Sequence, residues 1–449
     1  MKLLLVSLGC DKNLCDSEEM LGLLSSKGIQ ITDDETEADV IIINTCAFIN
    51  DAKEESINTI IELAGCKISA GNGGKCRALI VTGCLAERYA DEIKKELPEV
   101  DAVVGTTAYD DISEVIDKCL NGIKVYDLKD INILPSRSPK RIVTTGGHYA
   151  YLKIAEGCNK RCSYCIIPSL RGRYRSYPMD DLITNAKLLS DNGVKELILV
   201  AQETTLYGSD LYGKKALPEL LSKLSKIEGL EWIRIMYAYP EEITDELIEV
   251  MASEKKICHY IDMPIQHASD KILRRMGRKT DRESLSRLIE KLRGNIPDIA
   301  IRTTLLSGFP GETKEDHIEL YNFVDETEFD RLGVFSFSPE EGTAAYDMPD
   351  QIPDEIKKER YDELMLLQQE IAFEKAREKN GKDYKVFIEG RLVDENVYVA
   401  RTYMDAPGID GNVFVGTDRD LMSGDFYDVH ITGAHEYDLI GGLKDESAE

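Results

Sequence analysis

Cys158, Cys162 and Cys165 stand in a C-x3-C-x2-C arrangement directly after the strand-like run Tyr151–Ala155. Three thiolates are one short of the four cysteines that ordinarily close a 4Fe–4S cluster. A cluster held in this way keeps one iron open to an outside ligand, which suits chemistry at that iron better than electron storage. Cys10, Cys46 and Cys84 form a second set. They are far apart in the chain, yet each follows an apolar run: Leu3–Ser7, Val40–Ile43 and Ala78–Val81. Parallel strands bring their C-terminal ends to one edge of a sheet, where ligands bind, so these three thiols can converge. A structural zinc would want a fourth protein ligand, and these loops offer none that is obvious. A second open 4Fe–4S cluster is the better fit. Glycines before Cys10 and Cys84 permit close backbone approach. The alternative for each cysteine is a buried thiol packing as a small hydrophobe. Cys15, Cys66, Cys76, Cys119 and Cys258 share no such pattern.

The elements that must position these residues fall into three parts. In residues 1–135, apolar runs at 3–7, 40–43, 78–81 and 100–104 alternate with helical stretches. Asp16 and Glu19 read as a capping box opening the first helix. Alternating strand and helix implies a doubly wound, mainly parallel sheet. Residues 136–147 read as a linker rich in Ser, Pro, Arg and Gly. Residues 148–380 show six strand-like runs with helices between them, then a long charged helix. That pattern predicts a partial (βα)6 barrel, whose chemistry belongs at the C-terminal ends of its strands. From 381 to 449 the chain changes to short β-like runs punctuated by Gly and Asp, which predicts a small antiparallel, OB-like β-barrel.

The chain has 449 residues, 43% hydrophobic and 31% charged, and a formal charge of −27. No run has the length of a membrane span, and the apolar stretch before Cys10 is too short for an export signal. Eleven cysteines without such a signal point to the reducing cytoplasm, where thiols serve metals or catalysis more than disulfides. The strong acidity disfavours broad contact with phosphate backbones and suits a basic partner; solubility alone also explains it.

The segment Gly157–Cys165, with Tyr164 before its last cysteine, resembles the signature of the radical S-adenosylmethionine (SAM) superfamily. With the upstream Cys10, Cys46 and Cys84, the whole chain is similar to the methylthiotransferase family within it. That resemblance implies an N-terminal methylthiotransferase domain, a radical SAM core and a C-terminal TRAM domain. It also implies two 4Fe–4S clusters, one on each cysteine triplet, S-adenosylmethionine, and an external electron donor and sulfur source. Ser7–Asn13 with Asp16-Ser17-Glu18, and Tyr151–Cys158, are most similar to the branch acting on ribosomal protein S-twelve, free or within the small ribosomal subunit. The implied reaction replaces a hydrogen on an aspartate β-carbon by a methylthio group. Ordinary acid–base chemistry does not readily break that C–H bond, whereas cofactor radical chemistry does. Cys15 departs from the apolar residue the family pattern has at that position.

Strand-end positions supply further candidates. Gln202 and Glu203 end the second barrel strand, Gln266 and His267 the fourth, and Arg302 lies on the fifth. They are candidate contacts for S-adenosylmethionine, with Arg302 suited to its carboxylate. Arg171, Arg173 and Arg175 follow the cluster loop and either offset negative charge, meet substrate or face solvent. From 381 to 449 there are six Lys or Arg against fifteen Asp or Glu, a formal charge of −9. A groove built for RNA shows basic residues among its aromatics, so direct RNA binding is not favoured and a basic ribosomal protein is. The competing readings are a tRNA adenosine methylthiotransferase and a non-catalytic iron–sulfur carrier.

Overall fold

The computed structural model describes residues 1–136, 141–393 and 395–446. Residues 137–140, which fall in the expected linker, lie outside the described residues, as do 394 and 447–449.

The N-terminal sheet has six parallel strands. In spatial order they are Gln30–Ile31, Lys2–Ser7, Val40–Thr45, Ala78–Gly83, Ala102–Val104 and Val125–Asp127. The central two, VIIINT and ALIVTG, are buried at every position, as befits strands covered by helices on both faces. Chain order reverses between Lys2–Ser7 and Val40–Thr45, so a crevice opens beyond their C-terminal ends. The first helix begins at Asp11, with Cys10 as its cap residue. The expected capping box at Asp16 and Glu19 does not occur: Asp16 sits inside the helix, buried, and its carboxylate goes to tertiary ion pairs.

The second sheet is open, parallel and in sequential order: Tyr149–Lys153, Glu196–Val200, Trp232–Ile235, Ile257–Asp262, Ala300–Ser307 and Arg331–Ser336. All six expected strands are present, with ends shifted by a few residues. Helix Asp354–Arg377 packs back against it. The C-terminal part is a closed five-stranded barrel. Four of its pairings are antiparallel, and Val413–Gly416 pairs in parallel with Asp438–Leu443 to close the ring. That last strand carries Gly441 and Gly442, which weaken a strand signal read from side chains alone.

The closed barrel docks on the concave face of the open one. Trp232, Tyr260 and Ala300 share an apolar cluster with Phe387, Met404 and Ala406. Around this cluster lies a buried ion network. Glu196 accepts from Arg234 at 2.8 Å and from Arg401 at 2.6 Å, and Arg401 also meets Glu389 at 2.5 Å. Glu196, Arg234 and Arg401 are all at most 1% exposed. Breaking such a pair by deleting one partner strands the other charge. Glu196→Ala is therefore expected to cost about 3–5 kcal/mol of stability, read as a lower urea midpoint; an unchanged midpoint would contradict the network's role.

Candidate functional site

Cys10, Cys46 and Cys84 lie at the C-terminal edge of the N-terminal sheet, just past the ends of three adjacent strands. Their loops are stitched together by amides. Asn13 donates to the Leu8 and Thr45 carbonyls, both at 3.0 Å. Asn44 donates to the Asn13 carbonyl at 2.9 Å, and the Thr45 hydroxyl to the Thr82 carbonyl at 2.5 Å. Gly9 (φ +86°) lies so close to Cys46 that a Cβ there would stand 2.6 Å from its Cβ and 2.9 Å from its Sγ. Gly83 (φ +90°) is wedged equally tightly against Asn44 and Thr45. Burial pushes the Cys84 thiol up to about 11, with Arg171 pulling the other way and Cys10 and Cys46 adding to the rise. Burial also raises the Cys46 thiol. The close approach of Gly9 to Cys46 and of Gly83 to Thr45 brings the three loops together.

Cys158, Cys162 and Cys165 follow the first strand of the open barrel. Gly157 (φ +73°) presses against the Arg173 and Gly172 carbonyls, and the Cys158 amide donates to the Gly172 carbonyl at 3.1 Å. Ser163 bonds to Met276 and receives the Ala345 amide at 2.7 Å, which pins the middle of the loop. The Tyr239 hydroxyl lies 3.7 Å from the Cys162 sulfur. Lys160 is held by Glu241 and Glu242. Burial pushes the Cys158 thiol up to about 11 and the Cys165 thiol to about 12.

The two triplets meet across one short helix, Ile167–Arg171. Ile166 and Leu170 pack in the same apolar cluster as Cys84 and Leu85. Arg171, which the sequence leaves open as a solvated loop residue, is 3% exposed. It donates to Asp16 at 2.8 Å and to Asn13, and lies 3.5 Å from Glu156. Lys153 pairs with the same two carboxylates, Asp16 and Glu156. Burial opposes the charge on Lys153, but these carboxylates outweigh it and its pKa rises. Burial alone would raise Glu156; Lys153 and Arg171 hold it down.

Among the described residues, no three His, Cys, Asp or Glu side chains converge tightly enough to hold a single metal ion. A four-iron cube is held by thiolates, each on a separate iron, and is best shielded from water. All-thiol donors, cysteine loops in close contact with glycines and mostly buried sulfurs fit that demand. Gln202 and Glu203 lie at the second strand's end as expected. Gln202 Oε1 and Glu203 Oε2 are buried without a hydrogen-bond partner, which suits a donor-bearing ligand. Burial lifts the Glu203 carboxyl to about 7, against the pull of Thr205 and Lys160. Gln266 takes a left-handed backbone (φ +72°), bridging to the fifth strand. His267 is fully buried and lies 3.6 Å from Glu312, a carboxylate that receives the Gly308 and Phe309 amides, so its setting is that of a loop clamp. Arg302, expected to meet a ligand carboxylate, instead pairs with Asp262 at 3.0 Å and with Asp410 of the closed barrel at 3.4 Å. Its guanidinium is engaged in docking that barrel. Sequence reading misses Asn13 and Asn44; their position one turn past Cys10 and two residues before Cys46 is the available signal.

Family models match three stretches: the uncharacterized protein family UPF0004 at 2–105, the radical SAM superfamily at 152–324 and the TRAM domain at 381–443. Curated relatives match over the whole chain. The "Ribosomal protein uS12 methylthiotransferase RimO" of Lachnoclostridium phytofermentans is 60% identical, covering 98% of this chain and 99% of that protein. Its namesake from Acetivibrio thermocellus is 50% identical, covering 99% of both. Among solved structures, the radical S-adenosylmethionine methyltransferase TsrM of Kitasatospora setae superposes with a TM-score of 0.56 at 13% identity, covering 77% of each chain. The cobalamin-dependent S-adenosylmethionine radical enzyme OxsB gives 0.52 at 14%, covering 82% of this chain and 56% of its own. At those identities the likeness speaks for the fold alone.

Two outcomes follow from this geometry. Gly9→Ala forces a Cβ into Cys46 on a left-handed backbone, a strain of order 1–3 kcal/mol. It is expected to lower iron binding at the N-terminal triplet while sparing the other, read as iron per chain after anaerobic reconstitution. The second outcome concerns pH. Glu203 titrates near 7 when folded, against an ordinary 4.5, so between those values the folded form holds more proton and stability falls as pH rises. Glu203→Gln is expected to remove that slope, worth up to about 3 kcal/mol, in denaturant melts at pH 5 and pH 7.5.

Proposed function

The chain belongs to the RimO family of ribosomal protein methylthiotransferases, and from that membership we propose that it replaces a hydrogen on the β-carbon of one aspartate in small-subunit ribosomal protein S-twelve by a methylthio group. The reading rests above all on the pairing of two open thiol triplets at facing sheet edges, one short helix apart. Cys158, Cys162 and Cys165 would hold one 4Fe–4S cluster, and Cys10, Cys46 and Cys84 a second. Bound there, the clusters and S-adenosylmethionine supply the one-electron chemistry that breaks an unactivated C–H bond, together with the sulfur and methyl to be transferred.

The protein's own residues bind, orient and exclude water. Gln202 and Glu203 offer buried acceptors beside the Cys158 loop, suited to an ammonium group. Tyr239 and Arg278, stacked at 4.3 Å, wall the Cys162 side. Lys12, 3.1 Å above the Tyr237 ring and paired with Asp11, closes the gap between Cys10 and the barrel. The closed barrel carries a surplus of acid and meets the open barrel through Asp405 and Asp410. That surplus supports a basic protein substrate over a nucleic acid. Among the described residues no helix is long and apolar enough to cross a membrane.

The deciding experiment compares intact masses of ribosomal proteins from cells with and without the gene. One small-subunit protein is expected to carry a single methylthio group in place of hydrogen only when the enzyme is present, and Cys10→Ala or Cys158→Ala each to abolish it. An unchanged protein set beside a lost methylthio-adenosine in tRNA would move the chain to the RNA-modifying relatives.

A further inference from the structure

Arg171 ends the five-residue helix that begins two residues after Cys165. The chain then turns at Gly172 (φ +71°), where a Cβ would stand 2.5 Å from the Ile131 carbonyl. That turn sends the arginine inward rather than toward water. One guanidinium nitrogen donates to Asp16 at 2.8 Å and the other to Asn13. Asn13 in turn bonds to the carbonyls of Leu8 and Thr45, two residues before Cys10 and one before Cys46. Leu170, the residue before Arg171, packs in one apolar cluster with Cys84 and Leu85. The arginine is therefore tied through Asn13 to the loops of Cys10 and Cys46, and its own helix packs against Cys84. Beside Cys158 the fixed cation is instead Lys160, whose amide donates to the Cys158 sulfur at 3.4 Å and whose ammonium is held by Glu241 and Glu242.

We infer that Arg171 is the positioning and charge-setting residue of the second cluster, delivered to it by the helix that closes the first cluster's loop. The inference rests on the two-cluster reading above. Charges and hydrogen bonds beside ligand sulfurs set the potential of an iron–sulfur cluster. A fixed cation favours the more negative, reduced form, so Arg171 raises the potential of the cluster on Cys10, Cys46 and Cys84. It leaves the cluster on Cys158, Cys162 and Cys165 nearly unaffected.

The test uses full-length protein reconstituted without oxygen, as wild type, Arg171→Gln and Arg171→Lys, with Cys10→Ala to assign the signals. Iron per chain and redox titration followed by electron paramagnetic resonance are the readouts, and circular dichroism of the metal-free proteins checks folding. In Arg171→Gln the second cluster's midpoint is expected to fall by about a tenfold change in its redox equilibrium, or 59 mV for one electron. The first cluster should move far less, and Arg171→Lys should recover most of the shift. Loss of the second cluster alone in Arg171→Gln, with the first unchanged and the fold intact, supports the positioning half. Equal shifts in both clusters, no shift in either, or loss of both together overturns the inference. A wild-type protein holding one cluster sinks the two-cluster reading and this inference with it.

Discussion

Everything near the cysteines depends on four charges buried at the seam between the N-terminal sheet and the open barrel. Lys153 and Arg171 come from the barrel side, as does Glu156; Asp16 comes from the first helix of the N-terminal sheet. Two cations and two anions sealed from water cost several kcal/mol per ion in desolvation. They persist because each is paired, and because only one alignment of the two parts pairs them all. Such a network adds little net stability; its strength is selectivity. A slide of one helical turn would leave a charge stranded. The separation of the two triplets is thereby tied to the length of one short helix.

A second network repeats the device at the barrel's other end. Glu196, Arg234 and Arg401 lock the closed barrel in place, with Arg331–Asp405 and Arg302–Asp410 at its edge. The closed barrel thus covers part of the concave face through apolar rings and ion pairs together. Gln202 and Glu203, at the end of the second strand of the open barrel, are among the buried groups left with an acceptor oxygen unpaired. Beside the Cys158 loop, such acceptors suit a ligand that brings its own donors.

Much of this arrangement is legible in the amino-acid sequence. Strand ends are visible as breaks in apolar runs, and parallel strands share an edge, so the convergence of Cys10, Cys46 and Cys84 follows from the pattern. The C-x3-C-x2-C loop announces itself by spacing. Local pattern misleads elsewhere. Asp16 and Glu19 carry the residue types of a capping box, yet the helix has already begun at Asp11. Arg302 sits where a barrel ligand contact belongs, yet Asp262 and Asp410 claim it, and Asp410 lies more than a hundred residues away. Arg171 reads as one of three loop arginines; its burial depends on a turn at Gly172 and on a helix from a different sheet.

Residue types and their spacing are enough to name the six thiols and the strand ends they follow. These are local quantities, as is the two-residue period of a strand, and they survive without a fold. Packing in three dimensions settles which charges serve the site and which merely hold the parts together. A lone arginine or aspartate has no role until its partner is known, and here the partners of Arg171, Asp16 and Arg302 come from distant stretches of chain. The reason is the cost of burying a charge, which only a specific, long-range neighbour can offset.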